Sequence, residues 1–264
     1  NMIRLNFSHT IIAANIERNL CKQLNQLEIV WLNDAITLLT TSQDKINDLL
    51  DLSAVVNRTF TSHLQLSHTF FSTVTTAEII RILLIKIALN VLTHTEQEYL
   101  LKQYYRGADE SEKIAWLKGL LYVDEQGVAL NTVINASRCN SLNEFSALAL
   151  NNDYVAQYFP ELNFNQLVLK SLFMGLDISC ISTLSSRLNA RLTNMCFAYA
   201  IEQALANRIP PASIWLAILP DDLNDENSPL ITQYLNHFYQ QDDNHKQRIT
   251  WYVEYYQLKN IIIS

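Results

Sequence analysis

The chain has 264 residues, a formal net charge of −7, 49% hydrophobic and 17% charged residues, and only 4 glycines and 5 prolines. β-Sandwiches, barrels and propellers need a turn built on Gly, Asn-Gly or Pro at roughly every 8 to 12 residues, which this composition cannot supply. The glycines at 107, 119, 127 and 175 spell neither GxGxxG nor GxxxxGK[ST], so Rossmann and P-loop nucleotide sites are excluded. An acidic balance of 26 Asp plus Glu against 19 Lys plus Arg excludes a duplex-binding surface.

Apolar residues recur at helical spacing along almost the whole chain. Ile16, Leu20, Leu24 and Leu27 mark a first helix, and Ile29, Leu32, Ile36 and Leu39 a second; a third is expected over residues 43–59. Residues 60–72 read as a loop. Thr75 is a natural N-cap for a helix over 77–92 that is apolar on nearly every side and so belongs at the centre of a core. Helices follow over 96–106, closed by Gly107, and over 109–121. More are expected over 129–137, 141–150, 154–159 and 164–176, then a long one over 185–207 and a short one containing Trp215. Residues 220–229 read as a long acidic loop. The last segments are 230–240 and 245–259; the second alternates at Ile249, Trp251, Val253 and Tyr255 and is open between helix and strand. The fold class is all-α: an irregular stack of antiparallel helical hairpins, either a HEAT-like α-solenoid, which the short connections favour, or a compact helical domain.

The cysteines at 21, 139, 180 and 196 show no CxxC and no metal spacing, so reduced thiols are expected. No apolar run reaches the roughly 20 residues of a bilayer span, and no basic start leads into a leader-like stretch. A soluble cytoplasmic protein without a cofactor is expected.

Lys170 is the sharpest anomaly, because Leu167, Val168, Leu169, Leu172, Phe173 and Met174 surround it on a helix. It reads either as an anion-binding or reactive amine, or as one half of a buried ion pair with Glu144, Glu161 or Glu202. Arg187, Arg191, Asn194 and Glu202 fall on one stripe of the long helix, either a carboxylate- or phosphate-holding groove or a solvated face. Arg138 and Asn140 precede a helix start and read as capping or bridging residues. Asp221, Asp222 and Asp225 form a DDxxD that resembles the Mg2+-diphosphate motif of isoprenoid synthases, without a second metal motif. His63, His68, His94 and His245 have no zinc-site spacing.

A further likeness is carried by longer blocks. Ser137-Arg138-Cys139-Asn140, Phe145-Ser146-Ala147-Leu148-Ala149, Asn151-Asn152-Asp153-Tyr154 and Tyr158-Phe159 resemble the "RxN … FxAIA … NPY … F" run of EboA proteins. Residues 165–173, NQLVLKSLF, are similar to that family's "NQMVLKALF". Arg187-Leu188-Asn189, Tyr199-Ala200 with Glu202, Ala206-Asn207-Arg208 and Pro211 through Trp215 resemble its "RRAN … YAxER … AAGR … P … LW" ending, and residues 106–110 loosely match its "GDxxE" turn. The chain departs from the pattern at Asp153 (proline in the family), Ser186 and Gln203 (arginines) and Asn207 (glycine), as a divergent member would.

The resemblance implies an EboA-like helical domain over 2–219, with residues 220–264 packing on it as an acidic loop and aromatic segments. It also implies a cytoplasmic accessory protein in metabolite traffic, with other proteins of its gene cluster, including a membrane prenyltransferase-like one, and a small metabolite as partners. The polar positions matching the family blocks are Arg138, Asn140, Asn165, Lys170, Arg187, Asn189, Glu202 and Arg208. They are expected in or near the core, as a ligand-binding groove or a buried polar network. Three functions stand open: a non-catalytic binding protein, a Mg2+-dependent enzyme on a prenyl diphosphate using Asp221, Asp222 and Asp225, and an oligomerising structural scaffold.

Overall fold

The computed structural model describes residues 20, 24–60 and 74–258. Among them are fourteen α-helices and no strand, so the all-α reading holds. Contacts divide the chain into two compact units, the first ending at Val133 and the second beginning at Ile134.

In the first unit, α1 (Gln26–Thr41), α2 (Lys45–Thr59), α3 (Thr76–Leu89), α4 (His94–Gly107), α5 (Glu110–Lys118) and α6 (Leu120–Val123) gather around α3. Four of these helices open on reciprocal capping boxes, Asn25 with Glu28, Thr75 with Glu78, Thr93 with Glu96 and Asp109 with Glu112. Each box satisfies two backbone donors that the helix start would otherwise leave bare. The helix α3 is buried on nearly all sides, as apolar residues spread around its circumference require, and α1, α2, α4, α5 and α6 all pack on it. Its one fully buried cation, Arg81, donates to the Ser53 carbonyl (3.2 and 3.3 Å) and to Asn57 Oδ1 (3.4 Å).

The helix expected over 109–121 breaks at Gly119. A Cβ there would lie 2.5 Å from Ile82 Cγ1, so only glycine lets the α5–α6 junction approach α3 this closely. The first expected helix, from Ile16, and the loop expected over 60–72 fall outside the described residues except at Leu20, Leu24, Leu27 and Phe60. Leu27 belongs to α1 with the second expected helix and is 82% exposed rather than buried.

The helix α7 (Leu130–Ala136) carries the chain from the first unit to the second. The second unit contains α8 (Leu142–Ala149), α9 (Asp153–Tyr158), α10 (Glu161–Phe173), α11 (Leu184–Arg187), α12 (Ala190–Leu205), α13 (Ile231–Tyr239) and α14 (Asp243–Tyr255). It also has 3-10 turns at Ile178–Cys180, Ala212–Leu216, Pro220–Asp222 and Ser228–Leu230. The helix α10 packs on α8 and α12, and α12 packs in turn on α13. The turn Ala212–Leu216 is gripped by α14.

One helix boundary is corrected and one open segment is decided. The long helix expected over 185–207 is α11 and α12, separated at Leu188–Asn189, because Asn189 turns its side chain onto Leu192 N (2.9 Å) and starts a new helix as its N-cap. Of the segment 245–259, open between helix and strand, residues 245–255 are helical within α14, with Asp242 as N-cap accepting from His245 N at 2.7 Å.

Candidate functional site

The eight polar positions do not converge on one place. Arg138, Asn140, Glu202 and Arg208 are exposed, against the expectation of a core location. The N-cap of α8 is Ser141, not Arg138 or Asn140. Asn165 is buried, while Lys170, Arg187 and Asn189 are half-buried, and each of these four is engaged by neighbouring backbone or side chains.

Lys170 lies on the last turn of α10. Its ammonium donates to the carbonyls of Ser137 (3.0 Å) and Cys139, just past the end of α7, and sits 4.9 Å over the Phe145 ring. Carbonyls in the turn just after a helix lie beside the negative end of its dipole, so a cation there is favoured. The amine finds main-chain oxygens where the sequence suggests a carboxylate.

Arg187 repeats the arrangement one step along. Its guanidinium donates from Nη1 to the Ala156 carbonyl (2.8 Å) and from Nη2 to the Phe159 carbonyl (2.7 Å), at the end of α9, and lies 4.3 Å over the Phe164 ring. Next to it, Asn165 and Asn189 exchange amide hydrogen bonds of 3.1 and 3.0 Å, and Asn189 also donates to the Arg187 carbonyl at 3.1 Å. Phe164 and Asn165, consecutive on α10, thereby hold the residues that separate α11 from α12. Chemically, these cations cap helix ends and the amide pair fixes a chain break.

Of the stripe expected to join Arg187, Arg191, Asn194 and Glu202, Arg187 lies on a separate helix, while Arg191 and Glu202 face solvent, as the solvated-face alternative expects. Asn194 instead ties down the acidic segment. Its Nδ2 donates to the Asp222 carbonyl (2.9 Å), and its Oδ1 accepts from Asn224 N (3.1 Å) and Asn227 Nδ2 (2.8 Å). In that segment Asp221 and Asp225 are exposed and Asp222 is half-buried, so the three do not line an apolar cavity. Among the described residues, no group of three His, Cys, Asp or Glu is placed to hold a metal ion.

Two described cysteines, Cys180 and Cys196, are free thiols. Burial pushes the Cys196 thiol up to about 12, which removes it as a nucleophile near neutral pH.

A concave region does exist in the first unit. An open groove of ≈ 580 Å³ lies where the α1–α2 and α3–α4 connections meet, lined by Ile46, Leu92, Tyr99 and Leu100 with Asp44, Lys45 and Glu96 among its polar groups. The Lys45 ammonium is turned onto the Leu39 carbonyl. Glu96 accepts from Thr93 N (2.8 Å) and Thr93 Oγ1 (2.7 Å), and these bonds hold its carboxyl below the usual range. None of the eight family-matching residues lines this groove. Sequence reasoning missed it because Asp44 and Thr93 mark two helix starts in the sequence, while nothing in their spacing says that the two starts face each other.

A family model, that of the metabolite traffic protein EboA, matches residues 12–219. The chain belongs to the EboA family. No curated protein and no solved structure matches it. The four engaged polar residues, Asn165, Lys170, Arg187 and Asn189, all lie within the EboA match, as does the groove. The segment 220–258, with the DDxxD end and helices α13 and α14, lies beyond it. Among the described residues no helix is long and apolar enough to cross a membrane.

Proposed function

We propose that this EboA protein is a non-catalytic binding protein in metabolite traffic and that its first unit holds a small metabolite in the groove between the α1–α2 and α3–α4 connections. The observation that carries the reading is the groove itself. Its ≈ 580 Å³ falls in the range of about 300–1,000 Å³ typical of small-molecule sites, and its lining mixes aliphatic and aromatic walls with a few polar groups. With Lys45 engaged by a backbone carbonyl and Asp44 and Glu96 on the rim, the occupant is neutral or cationic rather than a diphosphate. The ligand class is thus an amphipathic aromatic or prenylated compound without a strong negative charge.

Saturation-transfer NMR against neutral, cationic and anionic aromatic and prenylated compounds tests this. Neutral or cationic compounds bind, and Tyr99→Ala, at a largely exposed position, weakens them by about tenfold, the loss expected for one aromatic wall. Binding that ignores Tyr99→Ala, or a preference for anions, overturns the assignment.

A scaffold reading is supported by one feature, the outward apolar face of α1, where Leu27, Val30 and Leu38 are exposed together. Solution mass measurement tests it: self-association abolished by Leu27→Asp with Leu38→Asp supports an oligomer, and a monomeric parent protein removes it. Partner proteins of the same gene cluster would be captured by either surface.

A further inference from the structure

His245 is fully buried at the third position of α14, and both of its ring nitrogens are used. Trp215 Nε1 lies 3.1 Å from Nδ1, and the Pro210 carbonyl lies 2.8 Å from Nε2. An indole N–H can only donate and a carbonyl can only accept, so Nδ1 is the acceptor and Nε2 carries the proton. The ring also stacks on Phe238 with centroids 5.1 Å apart. The neutral imidazole is therefore built into the docking of α14 on the Pro210–Trp215 segment. A proton added to Nδ1 would point N–H at N–H across 3.1 Å in a site closed to water, which the docked geometry cannot accommodate.

We infer that His245 makes the C-terminal helix α14 a pH-responsive clasp, docked on the family-matched core at neutral pH and released when the imidazole is protonated. The clasp lies beyond the EboA match and the surface it covers lies within it, so the device is an addition to the EboA region. Release uncovers Trp215, whose ring is packed against Tyr252 (5.7 Å) and Phe238 (6.0 Å).

The groups around the ring fix the direction. Burial lowers the His245 pKa and outweighs the Pro210 carbonyl and the charge of Asp242, the N-cap of α14, both of which favour the protonated form. The turn Ala212–Leu216 brings no titratable side chain. From α13 come His237, edge-on to Phe238 at 4.9 Å, and Tyr239, which lies under Lys246. Asp221 acts on Tyr252 and Tyr256, Arg248 lies over Trp251, and Arg208 is exposed two residues before Pro210. Because the docked pKa lies below the undocked one, docking is at full strength above about 6.5 and weakens as the pH falls from there. One proton taken up on release corresponds to at most about a tenfold loss of docking per pH unit.

Amide hydrogen exchange of the whole chain at pH 7.5 and 5.5, corrected for intrinsic exchange, tests the clasp. Protection over 243–255 falls severalfold, up to about tenfold, at pH 5.5, while α10 keeps its own protection. His245→Gln, which can donate and accept without titrating, abolishes the difference. An equal response in His245→Gln, simultaneous loss in α10, or no response overturns the inference. If the variant fails to fold, an NMR titration of the parent protein decides: the Trp215 indole N–H signal shifts or broadens with the same midpoint as the His245 ring, whereas independent midpoints count against it.

Discussion

Lys170 and Arg187 show how one sequence signal, a cation among apolar neighbours, resolves into a specific physical role. Each is drawn out of α10 or α11 toward carbonyls at another helix's end, and each lies on an aromatic face. Arg187→Gln should remove two charge-assisted hydrogen bonds and destabilise the second unit by about 2–3 kcal/mol, read as a lower denaturant midpoint with unchanged slope. Arg187→Lys should recover only part of that loss, since an ammonium cannot present the fork that reaches Ala156 and Phe159 together. Asn165→Ala should cost about 1–3 kcal/mol by removing both of its amide hydrogen bonds to Asn189, which keeps only its bonds to the Arg187 carbonyl and Leu192 N beside the α11–α12 break. If metabolite binding in the first unit were lost in these variants while their folding stability stayed intact, the structural role assigned here would fail.

Helix endings explain a departure from the family pattern. After α10, Gly175 sits at φ +76, with Gly175 N bonded to Leu172 O (3.1 Å) and Leu176 N to Ser171 O (2.9 Å), the paired bonds of a Schellman ending. After α12, Asn207 at φ +53 repeats it, with bonds from Asn207 N to Ala204 O and from Arg208 N to Gln203 O. Asparagine tolerates the left-handed region better than other non-glycine residues, so its place at a family glycine preserves the same turn. Thermal melts should show Asn207→Gly neutral or stabilising by up to about 1 kcal/mol and Gly175→Ala destabilising by about 1 kcal/mol. Val91 is the opposite case, a β-branched residue at φ +63 and 88% exposed after α3. Val91→Gly relieves the strain and should raise stability by about 1 kcal/mol, because no buried contact is lost with the side chain.

The second unit is held together by an aromatic cluster drawn from both sides of the family boundary. Phe197 meets Tyr234 edge-on at 5.9 Å, and Trp215 lies against Phe238 and Tyr252. Removing residues 220–264 should therefore expose Phe197 and Trp215, lower the melting temperature and increase binding of a hydrophobic dye. In the full chain, buried neutral His245 contributes stability that is complete above about pH 6.5 and declines below it. Acidification from pH 7 to 5.5 should accordingly reduce unfolding free energy more in the parent protein than in His245→Gln.

The sequence by itself determined the all-α class, the central place of α3 and most helix starts, because hydrophobic periodicity and capping residues act within a few turns of chain. Thr75 with Glu78 and the run from Ile79 to Ile85 specify a buried helix without reference to anything distant. The family blocks likewise marked Asn165, Lys170, Arg187 and Asn189, but not what they touch. Only tertiary structure decided that Lys170 meets carbonyls rather than a carboxylate, that Asn189 starts a new helix, and that Asp221 and Asp225 face solvent. The same holds for the groove and for His245, whose partners stand 30 and 35 residues away. Periodicity tells which face of a helix avoids water; which carbonyl, ring or helix end that face meets is set by packing between distant segments, and that information is not local.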